Sequence, residues 1–345
     1  MIFPEFIRPG DTIGVTAPSR AMEEEAEIRR FRSAEKHLNE KGYKVLFTEN
    51  VFGKNDRWGR SACAEEKARE YNALINDENI AAVYSASGGD FQAEILRYLD
   101  TEGLKRHPKW IQGFSDNTST LYYLTTKCDI ATAYGANFGD FGMENWDRSV
   151  ENGLKILEGK TKVQESFETF QNGFGIRESG LEGYAADGKV VWKNICGEKD
   201  GRVEMRGRLI GGCLDVIMNI SGTPYDGTDQ FIEKYKDDGI IWFLESFDAQ
   251  FEQMMEYLWK MKEMGWFKYA SGIVFGRPMF YNETGFDGKP LPTYEEVLHE
   301  RLDELGIPVI MDADVGHKGP QFVMINGAPA RIISKGGKGC CTYEF

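Results

Sequence analysis

Residues 1–150 alternate short apolar runs of strand length with longer amphipathic stretches of helix length, roughly one pair every 30 residues. That rhythm constrains the fold more than any other feature, because strands joined by helical crossovers lie parallel in one sheet. Residues 11–19 (DTIGVTAPS) read as a first strand and loop, 43–49 as a second strand and 80–86 as a third. Residues 109–112 and 129–134 supply two more. Between them, residues 22–41 carry Ile28, Phe31 and Leu38 among charged residues and read as an amphipathic helix. Residues 64–76, Asp90–Leu99 and 146–159 read as further helices.

From 160 to 205 the pattern weakens into a Gly-rich, charged stretch. It is expected to be a connector with short β segments that forms a lid or wall over a cleft, in which Trp192 either makes a hydrophobic lid contact or binds the substrate by stacking. Regular patterning then resumes. Leu209–Ser221 reads as a helix entered through Gly211-Gly212, residues 237–246 as a strongly apolar strand, and Ala249–Met264 as a helix. Met254, Met255, Leu258 and Met261 share one face of that helix, a core stripe. Residues 271–278 and 308–316 read as strands and Thr293–Leu305 as a helix. The tail reads as a β-hairpin turning at Asn326-Gly327. The expected division is 1–160, a connector 161–205, and 206–345.

Composition excludes several classes of function. The formal charge is −14, with Asp+Glu 55 against Lys+Arg 41 and no basic stripe, which argues against nucleic acid as a partner. No run reaches the ~18 apolar residues of a membrane span, and the N-terminus lacks the basic and apolar regions of a secretory signal. The six cysteines are spaced neither as a disulfide framework nor as a zinc site, and read as reduced thiols of a cytoplasmic protein. No G-x-x-x-x-G-K-[ST] occurs and no G-x-G-x-x-G follows the first strand, so no nucleotide cofactor is expected, nor any metal.

Candidate chemistry lies where strands end. Ser115, in GFSDNT (113–118), sits on a strand–turn–helix segment. It is either the N-cap of the next helix or a nucleophile on a sharp turn, and the segment alone favours the cap. Asn117 stands where a G-x-S-x-G motif would have its last glycine. His317 follows an apolar strand, with Gly316 and Gly319 around it, and reads equally as a base or as a loop histidine. Glu245 ends a buried-looking strand, where a carboxylate must be solvated, paired or functional. Asp116 and Asp248 are further carboxylates able to orient a base. Gly88-Gly89 after the third strand offers backbone N–H groups to an oxyanion or, equally, to a phosphate.

These segments together resemble the serine LD-carboxypeptidase family, which includes muramoyl-tetrapeptide carboxypeptidases and the microcin C immunity proteins. The resemblance is carried by GFSDNT (113–118), Glu245 and DADVGHKGP (312–320), and by GDTIGVTAPS (10–19), SGGD (87–90), GGCLD (211–215), GTPY (222–225) and GIVFGR (272–277). It implies an α/β protein with an N-terminal Rossmann-like parallel-sheet domain and a C-terminal domain of mixed β and α structure. It implies a Ser115–His317–Glu245 triad at the domain interface, an oxyanion hole from the N–H groups of Asp116 and Gly88 or Gly89, with Gly89 preferred, no cofactor, and a homodimer. The implied substrate is a small peptide conjugate, either a cell-wall L,D-peptide or a peptidyl- or aminoacyl-nucleotide. Ser85–Asp90 departs from the Arg-Gly-Gly-Tyr-Gly form of the cell-wall enzymes, which favours the nucleotide conjugate. Two other readings stay open: a non-catalytic binding or regulatory protein on the same scaffold, and a glutamine-amidotransferase-like hydrolase, which would need Cys rather than Ser at 115.

Overall fold

Five strands form the parallel part of a first sheet: β1 (Thr12–Thr16), β2 (Lys44–Phe47), β3 (Ile80–Ser85), β4 (Trp110–Gly113) and β5 (Thr132–Tyr134). The structure is a computed structural model that describes residues 1–196 and 201–345. Helices α1 (Glu25–Glu40), α2 (Ala64–Asn76), α3 (Thr101–Arg106) and α4 (Thr118–Thr126) make the crossovers, and α5 (Arg148–Leu157) follows β5. The strand order is β2-β1-β3-β4-β5. The order reverses between β1 and β3, and ligands of open α/β sheets gather at the strand ends beside such a point. Helix α1 starts at a capping box between Glu24 and Glu27, and buries Phe31, Ala34 and Leu38 along one face.

The second sheet has eight strands in the order β6-β16-β15-β10-β11-β12-β13-β9. They are β6 (Val163–Glu165), β9 (Lys193–Asn194), β10 (Val203–Cys213), β11 (Ile240–Glu245), β12 (Ala270–Gly276), β13 (Val309–Ala313), β15 (Pro329–Lys335) and β16 (Lys338–Tyr343). Strands β10 to β13 run parallel and the flanking pairs antiparallel. Helices α6 (Leu214–Ile220), α7 (Thr228–Lys234), α8 (Phe251–Glu263) and α9 (Tyr294–Leu302) lie between strands, and β7 (Thr169–Phe170) pairs with β8 (Gly188–Lys189) in a small ribbon. Of the four residues expected to face the core from α8, Met254, Leu258 and Met261 are buried, and Met255 is partly buried against the same cluster. The fold is thus α/β, a parallel-sheet N-terminal domain followed by a mixed C-terminal one.

Several local expectations change. Gly211 and Gly212 end a long strand rather than open a helix, because a Cβ at Gly211 would meet the Phe243 carbonyl oxygen at 1.7 Å across the β10–β11 ladder. Residues 92–98 form a 3-10 helix. The terminal hairpin joins β15 to β16 and turns at Gly336-Gly337, both at positive φ. The segment ending at Asn326, β14 (Met324–Asn326), leaves it and pairs antiparallel with β5 in the first sheet. Within the stretch read as a connector, the short strands β6 and β9 form the two edges of the second sheet.

Candidate active site

Ser115 stands immediately beyond β4, at φ +66. That left-handed conformation is uncommon for a residue with a Cβ and marks a tight, over-determined turn. Packing enforces it. A Cβ at Gly113 would meet the Asn117 side chain at 2.9 Å, and one at Gly88 would meet Ser115 Oγ at 2.9 Å. The close approach a last motif glycine would allow is therefore made by Gly88 from the neighbouring strand end. Asn117 instead donates through Nδ2 to the carbonyls of Ser87 (3.1 Å) and Phe114 (2.9 Å) and to Asn137 Oδ1 (3.1 Å), which ties the turn to the loops after β3 and β5. Ser115 does not cap a helix: its hydroxyl meets His317 Nε2 at 2.9 Å.

His317 comes from the loop after β13. Its Nδ1 lies 2.8 Å from Glu245 Oε2 at the end of β11. Glu245 is 1% exposed. Tyr134 Oη donates to its other oxygen and lies 3.4 Å from the N–H of Ser115. Burial and the Glu245 charge hold the Tyr134 hydroxyl well above its ordinary range, so it stays a donor. Gly316, at φ +100, is obligatory, because a Cβ there would meet Glu245 at 2.7 Å. The imidazole lies between two rings, Phe114 at 5.2 Å and Phe247 at 4.7 Å. Serine, imidazole and carboxylate thus form one hydrogen-bonded line across the domain interface, the arrangement that activates a hydroxyl for attack on a carbonyl.

The other carboxylates do not orient the base. Asp116 turns away from His317, and its Oδ2 accepts from Ser19 Oγ (2.7 Å) and the N–H of Gln92 (2.9 Å). Burial pushes its pKa up to about 6, against the pull of those two donors. Asp248 is also raised, by burial and by the nearby Asp215. Asp215 in turn accepts from the N–H groups of Phe247 (3.0 Å) and Ala249 (3.1 Å), which shapes the turn after β11. Among the described residues the amides of Gly88, Gly89 and Asp116 have no acceptor within the protein. Gly88 is the glycine pressed against Ser115, whereas Gly89 faces Ser19 and Arg20.

These groups open into a cavity of about 1080 Å³ with walls from both domains, among them Arg20, Arg177, Tyr184, Asp215 and Phe247. Phe174, 70% exposed, closes one side by packing on Phe247 (6.1 Å) and Phe280 (5.7 Å). Trp192 is not part of this wall, and the expectation of a substrate contact is corrected. It is 3% exposed and packs on Phe322 at 5.7 Å, and its Nε1–H donates to Asp314 Oδ2 at 3.0 Å. The same buried carboxylate takes the N–H of Phe167 (3.1 Å) and pairs with Arg277 (2.8 Å), so Trp192 belongs to a knot beneath the His317 loop. The sequence alone assigns no role to Tyr134, Ser19, Gln92 or Phe174. Ser19 ends the GDTIGVTAPS segment and Gln92 lies two residues after SGGD, but nothing local marks Tyr134, whose partner is 111 positions away. Among the described residues no group of three or more His, Cys, Asp or Glu could hold a metal ion, and no helix is long and apolar enough to cross a membrane.

A family model for the LD-carboxypeptidase N-terminal domain matches residues 13–135, and one for the LD-carboxypeptidase C-terminal domain matches residues 206–332. The chain belongs to the LD-carboxypeptidase family and is a peptidase of that class. It is 30% identical over 330 residues to the microcin C7 self-immunity protein MccF of Escherichia coli, covering 94% of this chain and 90% of MccF. A structure of MccF in complex with glutamyl sulfamoyl guanosine superimposes with a TM-score of 0.80 at 25% identity, covering 99% of this chain and 98% of MccF. The muramoyltetrapeptide carboxypeptidase of Oxalobacter formigenes shares the fold, with a TM-score of 0.71 at 20% identity over 97% of this chain and 99% of that enzyme.

Proposed function

We propose that this chain is a serine amidase that releases the C-terminal part of a small peptide conjugate, with Ser115 as nucleophile, His317 as base and Glu245 as its orienting carboxylate. The observation that carries the proposal is the line Glu245–His317–Ser115, with contacts of 2.8 and 2.9 Å, ending on a serine held in left-handed backbone. In this reading His317 Nε2 takes the Ser115 proton as Oγ attacks the amide carbon. The oxyanion is received by the N–H of Asp116 and by one amide of the Gly88–Gly89 pair, Gly89 in our reading. The imidazolium, stabilised by Glu245, then protonates the leaving nitrogen, and water hydrolyses the acyl-enzyme by the same route.

For the substrate we favour an aminoacyl- or peptidyl-nucleotide over a cell-wall L,D-tetrapeptide. The aromatic group Phe247–Phe174–Phe280 beside His317 offers flat apolar faces to a ring system. MccF, of which a complex with an aminoacyl nucleoside analogue is known, is the relative with 30% identity. The test is hydrolysis of glutamyl sulfamoyl guanosine and of an L,D-tetrapeptide by the wild-type protein and by Ser115→Ala, followed by mass spectrometry. Turnover of the conjugate, and loss on the order of 10⁶-fold in the variant, is expected. A variant that keeps turnover removes Ser115 as nucleophile. Cleavage of the tetrapeptide alone overturns the substrate choice.

A further inference from the structure

The catalytic line leaves one buried ionisable group of the nucleophile turn unused. Asp116 follows Ser115 directly, is 6% exposed, and has no ion-pair partner among the described residues. Its Oδ2 accepts from Ser19 Oγ, in the loop after β1, and from the N–H of Gln92, just beyond the loop after β3. These are the two loops that flank the reversal of strand order. Gln92 extends the link, since its Nε2 donates to Thr120 Oγ1 (2.7 Å) on α4 and its Oε1 accepts from Ser19 Oγ (3.3 Å). The segment so held includes Gly88 and Gly89 and ends at Phe91, a non-glycine residue at φ +67. An unfavourable backbone conformation persists only where its surroundings over-determine it.

We infer that the Asp116 side chain is a positioning residue: as a carboxylate it clamps the Gly88–Gly89 loop and the Ser19 loop to the nucleophile turn, and thereby sets the oxyanion amides relative to Ser115. This rests on the serine-nucleophile reading proposed above. Hydrogen bonds to a carboxylate are shorter and about twice as strong as those to a neutral acceptor, so the clamp slackens when Asp116 is protonated. The charged groups that face it are Asp90, on the clamped loop, and Lys67, a buried amine on α2 whose Nζ also holds the Phe91 carbonyl at 3.0 Å. Glu94, Arg60 and Asp56 surround Lys67 in turn, and His317 stands across Ser115. Asp90 opposes ionisation and Lys67 favours it, and burial dominates, which pushes the Asp116 pKa up to about 6.

The experiment compares kcat and KM of the wild-type protein, Asp116→Asn and Ser19→Ala from pH 5 to 8.5, with Ser115→Ala as control. Asparagine keeps the shape and a neutral acceptor, so it mimics the protonated state. At pH 8, kcat of Asp116→Asn is expected about tenfold below wild type with KM little changed, and the two are expected to converge towards pH 5. Ser19→Ala removes one of the two donors and should move the acid limb to higher pH. A purely structural role would alter melting temperature but leave the kcat ratio of Asp116→Asn to wild type the same from pH 5 to 8.5, and that result overturns the inference. So does wild-type kcat in Asp116→Asn at pH 8 beside an inert Ser115→Ala, which leaves the nucleophile assignment standing. A Ser115→Ala protein that keeps turnover removes both.

Discussion

At the scale of single residues, the two aspartates at 116 and 314 show how burial divides labour between function and stability. Asp314 is buried and has a partner, Arg277 at 2.8 Å, and it also collects the Trp192 indole and the Phe167 amide. Trp192→Ala empties a large core site and strips a donor from that carboxylate. A loss of about 3–5 kcal/mol of stability is expected with KM unchanged, read from melting temperature beside steady-state kinetics. A raised KM in a protein of normal stability would return Trp192 to the cavity wall. Asp116 is buried with no ion-pair partner among the described residues, and its folded pKa of about 6 lies above the ordinary 3.8. For an acid raised on folding, the favourable contribution is fully present below the unfolded pKa and is lost as pH rises through the folded one. The melting temperature of Asp116→Asn relative to wild type should therefore rise between pH 4 and pH 7, by several degrees at most. A difference that stays flat across that interval would mean that Asp116 does not titrate there. Tyr134→Phe removes the hydroxyl that donates to Glu245, and is expected to lower kcat by about 10- to 100-fold while Ser115 remains present and folded. An unchanged kcat would show that Glu245 is held well enough by its packing.

Among the elements, the loop between β7 and β8 decides how the cavity is closed. Arg29 donates to the Ser179 carbonyl (2.9 Å), and Arg30, buried on α1, donates to the carbonyls of Gly180 (2.8 Å) and Glu182 (2.9 Å). Gly180 lies so close to α1 that a Cβ would meet the Ala26 carbonyl oxygen at 2.0 Å. Its far end places Phe174 on Phe247 and Phe280 of the second domain. The loop thus spans from α1 to the ring that packs on His317. Arg30→Met keeps the apolar stem and removes the three carbonyl contacts, including the one to Gly139. Its expected effects are a KM raised about tenfold, a nearly constant kcat, and faster proteolysis within 171–184. Equal proteolysis rates in the two proteins would show that the loop is held by other contacts. The sequence reads 160–205 as a lid or wall over a cleft; Phe174, Arg177 and Tyr184 of that stretch line the cavity, and Trp192 does not. Burial of that tryptophan depends on strands β6 and β9 returning to the second sheet, which no local pattern announces.

Taken as a whole molecule, the chain crosses between its two sheets more than once. Strand β14, from the C-terminal part, completes the first sheet beside β5. Asn326 at its end accepts the N–H of Gly211 (2.9 Å), and Tyr122 on α4 bonds Thr228 on α7 (2.6 Å). The N-terminal amine and Lys234 share Asp129. Unfolding is therefore expected to be one cooperative transition, with far-UV and near-UV circular dichroism coincident. Two separated transitions would show that the sheets are independent units.

What the sequence determined by itself was the class of fold and the ends of its strands, which local period sets, though not every local turn. Parallel strands with helical crossovers and the strand-end placement of Ser115, Glu245 and His317 follow from side-chain alternation and strand–turn–helix spacing. Tertiary structure alone decided the rest, because each remaining feature depends on residues far apart in the chain. It gave Ser115 to His317 rather than to a helix cap, across 202 positions. It turned the Asp116 carboxylate toward Ser19, 97 positions back, and it buried Trp192 against Asp314, 122 positions on. Such pairings are fixed by which strands become neighbours, and a linear pattern carries the faces of elements but not the partners they meet.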